Sequence, residues 1–223
     1  MKEKSLVVLE MEIKNHPILN HPFYELFKAG KINNEQLKIF TEQQYHFSVS
    51  FPRCIAAVYS AIPNYAISRK LIDHFLIVEG WGSNISEAHS NLFRKWMEYM
   101  SLSEENCIEG LLPETIIFNK NRIRLCKDNN YFVGLGALAF GHELLNQGIF
   151  SIYYEGLQRK NIPKEALSYF SAHTRDEIED YNVLKDMILQ TAKEKEDFSN
   201  VRFGATKIII NRERFLDSLM RRM

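Results

Sequence analysis

Six residues of this chain pair transition-metal donor chemistry with positions in or beside apolar helical sequence: Glu79, His89, Glu143, His173, Glu177 and Asp180. Three of them belong to FSAHTRDEIEDYN, residues 170 to 182. Spacings of four and seven put His173, Glu177 and Asp180 on one helix face about two turns long. Alone, such a stripe is ordinarily a solvated surface, and its alternative is one wall of a metal site. Glu143 is the sharper signal, because its neighbours three and four positions away in LGALAFGHELLNQGIF are mostly apolar. A lone carboxylate there would lose on the order of several kcal/mol in desolvation unless a cation faced it. The alternative for Glu143 is a buried acid satisfied by an arginine or by tyrosine hydroxyls. His142, directly adjacent, cannot share its helix face and reads as a packing or supporting residue. Glu79 ends the apolar run LIDHFLIV, where a helix dipole does not favour an anion, and His89 follows ten residues later. Singly, these two have structural explanations, a helix-end charge paired with lysine and a hydrogen-bonded core histidine.

Taken together, the six are carboxylates and imidazoles without a thiolate, the mixture that suits non-haem iron or manganese. Six ligands correspond to about two ions, and four carboxylates would balance the charge of two ferrous ions closely enough for burial to be tolerable.

The elements that must position these donors are helices. Helical spacing dominates the chain, and VRFGATKIII, the one run with strand-like alternation, could equally begin a final helix. The expected fold class is all-α, with seven or eight helices in one domain spanning residues 1–223. A first helix is expected near 3 to 14, and Asn33 or Asn34 caps a long one that contains Pro52. Further helices are expected at about 65 to 80, from Ser86 onward, over 103 to 126, through the small-residue segment beginning YFVGLGALAFGHELL, and over 163 to 194 and 203 to 222. The 223 residues are 45% hydrophobic and 12% aromatic, enough for a sizeable core. With 28 basic and 28 acidic residues, the chain offers no charge imbalance that would suit nucleic acid or an anionic membrane. The apolar run after MKEKS is too short for a secretory core or a membrane span, so a cytoplasmic location is expected. Cys54, Cys107 and Cys126 make an odd count without a CxxC pair, which fits reduced thiols.

The order of four segments resembles a known family. HPFYELFKAGKINNEQLKIFTEQQYHFSVSFPRCIAAVYS, RKLIDHFLIVEGWG with SEAHSNLFRKW, GALAFGHELL and YFSAHTRDEIED are similar, in that order, to the haem-oxygenase-like di-iron oxidases and oxygenases. These are related in fold to the thiaminase-type TenA proteins and to the PQQ-synthesis protein PqqC, and the branch most like this chain is that of the chlamydial protein associating with death domains and its bacterial relatives. The resemblance implies a haem-oxygenase-like bundle holding two Fe(II) ions, with manganese as the other metal, and O2 as co-substrate. It carries the ligand roles onto Glu79, His89, Glu143, His173 and Glu177. The sixth position departs from the family, which usually has a histidine where this chain has Asp180. Tyr24 matches a tyrosine that one branch consumes to make p-aminobenzoate, but Tyr153 stands where that branch has a lysine, so self-sacrifice is not expected here.

The resemblance further implies oxidation of a small molecule in the bundle core, here an amino acid, with nitrile formation from a tryptophan-like substrate as the first branch to test. Helical phase points Tyr24, Tyr45, Phe47, Phe51 and Tyr153 at the cavity, and Arg159 is the expected anchor for a carboxylate. A homodimer is the expected assembly. Two alternatives stay open: a metal-independent enzyme of the TenA or PqqC kind, such as a thiaminase-type hydrolase with a cavity cysteine, and a non-catalytic helical interaction module.

Overall fold

The structure, a computed structural model, describes residues 2–78 and 88–223. Helices follow one another along the chain: α1 (Lys2–Lys14), α2 (Pro22–Lys28), α3 (Asn34–Ala61), α4 (Tyr65–Val78), α5 (His89–Tyr99), α6 (Glu104–Glu109), α7 (Pro113–Cys126), α8 (Tyr131–Leu138), α9 (Leu145–Gln158), α10 (Ser168–Thr191) and α11 (Lys195–Arg222). No strand occurs among the described residues, so the all-α expectation holds.

Local chemistry explains most boundaries. Asn33 caps α3 through a reciprocal pair, its side chain accepting from the Gln36 backbone while the Gln36 side chain accepts from Asn33 N, both at 2.9 Å. After α2, Gly30 takes φ +62°, a conformation that costs glycine little and turns the chain toward α3. The helical stretch expected over 103 to 126 is two helices, because Gly110 ends α6 and Pro113 starts α7 at a position where a missing N–H costs nothing. VRFGATKIII lies wholly inside α11. The late helix begins at Ser168, five residues after the expected start.

α8 and α9 are two ends of one continuous rod, joined through a π-helical segment, Ala139–Leu144. Every residue from Phe132 to Leu138 is buried, which makes α8 the axis of the core. It packs closest against α11, and the contact is backbone on backbone: a methyl group at Gly136 would strike the Val201 carbonyl, and one at Gly204 would strike the Val133 carbonyl. α9 lies between α2 and α10, where Tyr153 is wedged among Phe27 and Phe40 with ring centroids 4.7 and 4.9 Å away. Fully burying one such ring contributes about 1.5–3 kcal/mol. α3 packs on α7 and α10 on α5, so α3, α5, the π segment and α10 surround one interior space. Among the described residues, no helix is long and apolar enough to cross a membrane.

Because the α8–α11 crossing leaves no room for a Cβ, Gly204→Ala should cost at least the ~1–3 kcal/mol typical of overpacking. Urea unfolding with an unchanged slope and a lower midpoint is the expected readout, and an unchanged midpoint would show the crossing to be looser than described.

Candidate metal centre

α10 carries His173, Glu177 and Asp180 on one face, and that face points inward: the three are only 9%, 2% and 8% exposed. A solvated stripe is therefore not what this helix presents. Opposite it stands Glu143, buried within the π-helical segment. A π turn admits an extra residue into an α-helix and re-aims the side chains around it, which is why such turns concentrate at functional sites. His89 opens α5, and its ring centroid lies 4.1 Å from that of His173. These five residues line one cavity of about 310 Å³. Glu79 lies outside the described residues.

Electrostatics inside the cavity are those of acids short of a cation. Burial, then the charge and hydrogen bond of Glu143, then Asp180 push the Glu177 carboxyl well above the usual carboxylate range, with Arg212 opposing. Glu177 Oε2 is buried without a hydrogen-bond partner. His173 Nδ1 sits 2.9 Å from the Tyr169 carbonyl. A carbonyl only accepts, so Nδ1 carries the proton and Nε2 keeps its lone pair, the tautomer that a ligating imidazole needs. Phe150 stacks on the same ring at 4.1 Å and fixes its plane. Among the described residues, no three His, Cys, Asp or Glu side chains are drawn together tightly enough to chelate by themselves. The donors share a cavity, not a single point. The orphaned oxygen, the upward push on the Glu177 carboxyl and the carboxylate–imidazole chemistry of the set nonetheless fit a bound divalent iron, which would satisfy the first and offset the second.

His142 belongs to a different network. Arg122 Nη1 donates to its Nε2 at 3.1 Å, so Nδ1 carries the proton, beside Asn146 Nδ2 at 2.9 Å and Glu143 Oε1 at 3.6 Å. A second proton, on Nε2, would face the Arg122 guanidinium, which only donates. Burial, Arg122 and Arg212 accordingly hold the His142 pKa well below its ordinary value. The ring is also stacked on Phe51 at 4.2 Å and on Phe47 at 5.1 Å. Arg122, 1% exposed, further donates from Nη2 to the Phe47 carbonyl at 2.7 Å, and its guanidinium lies 4.0 Å from the centre of the Phe47 ring. Arg212 donates from Nη1 to Asn146 Oδ1 at 2.6 Å. Neither arginine forms an ion pair with a carboxylate among the described residues.

The expected substrate-facing residues divide. Tyr45, Phe47 and Phe51 line the cavity, joined by Phe93 and Phe150, while Arg94 and Glu104, exposed and 3.3 Å apart, stand at its mouth. Tyr24 and Tyr153 are buried but do not line it; they border a separate void of about 20 Å³ behind Phe47 and Phe150. Arg159 is corrected outright: it follows the last turn of α9, lies at the surface and donates to the Lys28 carbonyl. Helical phase located the buried face of α9, but Arg159 is six residues beyond Tyr153, where the helix has already reached solvent. The sequence reading missed Arg122, Arg212, Asn146 and Tyr169. A signal existed for the arginines, since Arg212 has Ile208 and Leu216 four positions to either side, and Arg122 has Phe118 and Cys126. All three cysteines are buried and none lines the cavity.

Comparisons with known proteins agree with this architecture. A protein from Chlamydia pneumoniae named 4-aminobenzoate synthase is 24% identical over 215 residues, covering 96% of this chain and 93% of its own. A CADD-like protein from Nostoc punctiforme superposes with a TM-score of 0.81 at 14% identity, over 99% of this chain and 97% of that one. A heme oxygenase-like domain from Shewanella denitrificans superposes at 0.76 with 15% identity, over 99% and 90%. Both superpositions show a shared fold, the haem-oxygenase-like bundle. A family model described as an iron-containing redox enzyme matches residues 38–212, which include every described donor of the cavity, and the chain belongs to that family.

Proposed function

We propose that this protein is an O2-dependent oxidoreductase in which Glu79, His89, Glu143, His173, Glu177 and Asp180 hold two iron ions, and that it oxidises a small molecule bound in the adjoining aromatic cavity. The observation that carries this reading is the Glu143–Glu177 pair, two buried carboxyls in hydrogen-bonding contact with one oxygen of Glu177 left unpartnered, in the cavity that His89 and His173 also line. Bound iron would supply the redox chemistry that no side chain in the cavity possesses. The chain's own residues do the rest. Phe47, Phe51, Phe93 and Phe150 keep the space dry and give a flat substrate apolar surfaces to lie against. Tyr169 accepts from Gln44 Nε2 at 3.0 Å and lies 2.9 Å from Ser48 Oγ, which ties α3 to α10 beside His173. Arg122 and Asn146 hold His142 neutral, so the imidazole next to Glu143 adds no charge to the site. Cavity size and aromatic walls favour an amino acid as substrate, an aromatic one first, with a tryptophan-like substrate and a nitrile product as the leading case. A thiaminase-type mechanism lacks its nucleophile, because none of Cys54, Cys107 and Cys126 lines the cavity.

A second reading, formation of 4-aminobenzoate, is favoured by the names of the relatives and by the burial of Tyr24 close behind the cavity. Tyr153 in place of a lysine disfavours it.

Two measurements test these readings. Glu177→Gln should reduce iron retained after anaerobic ferrous loading from about two ions per chain to well under one, because an amide is a poor ligand for a hard cation. The same substitution should stabilise the metal-free protein near neutral pH. A carboxyl whose folded pKa is raised binds its proton more tightly folded than unfolded, so metal-free stability falls as pH climbs above the unfolded value of about 4.3 toward the raised folded one. Glutamine removes that slope. Undiminished iron in the variant would sink the metal-site assignment. Intact mass of the iron-loaded protein after exposure to O2 with amino acids separates the two functions: an unchanged chain mass with oxidised small-molecule product is expected, whereas loss of mass mapping to Tyr24 would favour the second.

A further inference from the structure

The small void behind the cavity is bordered by Tyr24, Gln44, Asn146, Tyr153 and Arg212. Phe47, Asn146 and Phe150 line both spaces, so a wall one side chain thick separates them. Arg212 is 5% exposed; its Nη1 donates to Asn146 Oδ1 at 2.6 Å and its guanidinium lies 5.1 Å from the centre of the Phe47 ring. Its Nε and Nη2 are buried and make no hydrogen bond. These two atoms form the edge of a guanidinium that grips a carboxylate through parallel bonds. The neighbouring groups are neutral: the Tyr24 oxygen lies within hydrogen-bonding reach of both the Tyr153 hydroxyl and Arg212, and both oppose the upward effect of burial on the Tyr24 pKa, which leaves the Tyr24 O–H to donate. A second buried cation, Arg122, lies near enough for the two guanidinium charges to oppose each other. A buried guanidinium edge that meets no carboxylate among the described residues, only neutral groups, is an arrangement that lacks an anion, and at about 20 Å³ the space selects the most compact one.

We propose that this void is a carboxylate subsite in which the Nε/Nη2 edge of Arg212 and the Tyr24 hydroxyl bind a compact monoanion. The anion is either a free monocarboxylate or the carboxylate end of a molecule whose body lies in the main cavity beyond Phe47 and Phe150. In the second case the inference deepens the function proposed above and rests on it: the substrate is a carboxylic acid, and Arg212, not Arg159, is the residue that reads it.

The test uses metal-free full-length protein, so neither iron nor turnover enters, and failure of the iron assignment leaves its outcome intact. Thermal unfolding and tyrosine ultraviolet difference spectra are recorded at constant ionic strength against sodium formate, 3-phenylpropanoate and 3-phenylpropanamide. Either carboxylate should raise the unfolding midpoint and perturb tyrosine absorbance saturably, with the amide at least about tenfold weaker. Binding of formate alone identifies a free anion as the occupant, and binding of 3-phenylpropanoate identifies the substrate-borne one. Arg212→Gln should weaken binding at least about tenfold, with Arg212→Lys retaining part of it. Tyr24→Phe, which removes a hydroxyl and little volume, should weaken it several-fold and serves if the arginine variants do not fold. No binding by either carboxylate, equal binding of the amide, or unchanged affinity in Arg212→Gln or in Tyr24→Phe would overturn the proposal.

Discussion

Packing acids against one another inside an apolar bundle is costly, and the interior of this protein is organised around that cost. Glu143 and Glu177 come from different helical segments and meet where both side chains are almost wholly buried. The effective penalty for burying a single uncompensated ion is several kcal/mol, and folded domains have only about 5–15 kcal/mol in total to spare. Without a cation the cost shows as the upward push on the Glu177 carboxyl, which favours its neutral form. Arg122 and Arg212, which form no ion pair with a carboxylate among the described residues, flank the same region. The polar interior is thus a balance between an acidic half on α10 and the π segment and a basic half on α7 and α11, with His142 and Asn146 as the neutral layer between them.

Such an interior needs a stiff frame, and the frame is made of close backbone contact. α8 and α11 approach until Gly136 and Gly204 touch the opposing carbonyls. That contact fixes α11, and so sets the position from which Arg212 reaches Asn146. On the other side, the ring cluster of Phe27, Phe40 and Tyr153 anchors α9 to α2 and α3. The cavity lies between these two packed regions, which hold its walls at a distance that side chains alone do not fill.

Periodicity and composition were sufficient for the helical class and for a cap at Asn33 or Asn34, because those follow from local chemistry; the stripe on α10 was visible too, but taken alone it read as a solvated surface, and its inward bearing is set by packing. Glu143 was legible from its position in an apolar run. Other features depend on contacts remote in sequence. Nothing near Arg159 announces that α9 has emerged into solvent there, and nothing near Tyr24 tells which side of Phe47 it faces. Arg122 and Arg212 were overlooked for a different cause: long basic side chains are so often solvated that an arginine on an apolar stripe draws less notice than a glutamate in the same place. The π segment has no signature in composition at all.

That segment has a consequence for how one rod can serve two masters. Each residue of an α-helix advances the azimuth by about 100°, so the additional residue accommodated between Ala139 and Leu144 rotates the downstream half relative to the upstream half by roughly that amount. Leu135 and Leu138 can then keep a purely structural bearing while Asn146, Phe150 and Tyr153 take a bearing set by chemistry. Substitutions in one half are thereby phased away from the other, and the cavity is free to diversify without re-aiming the scaffold.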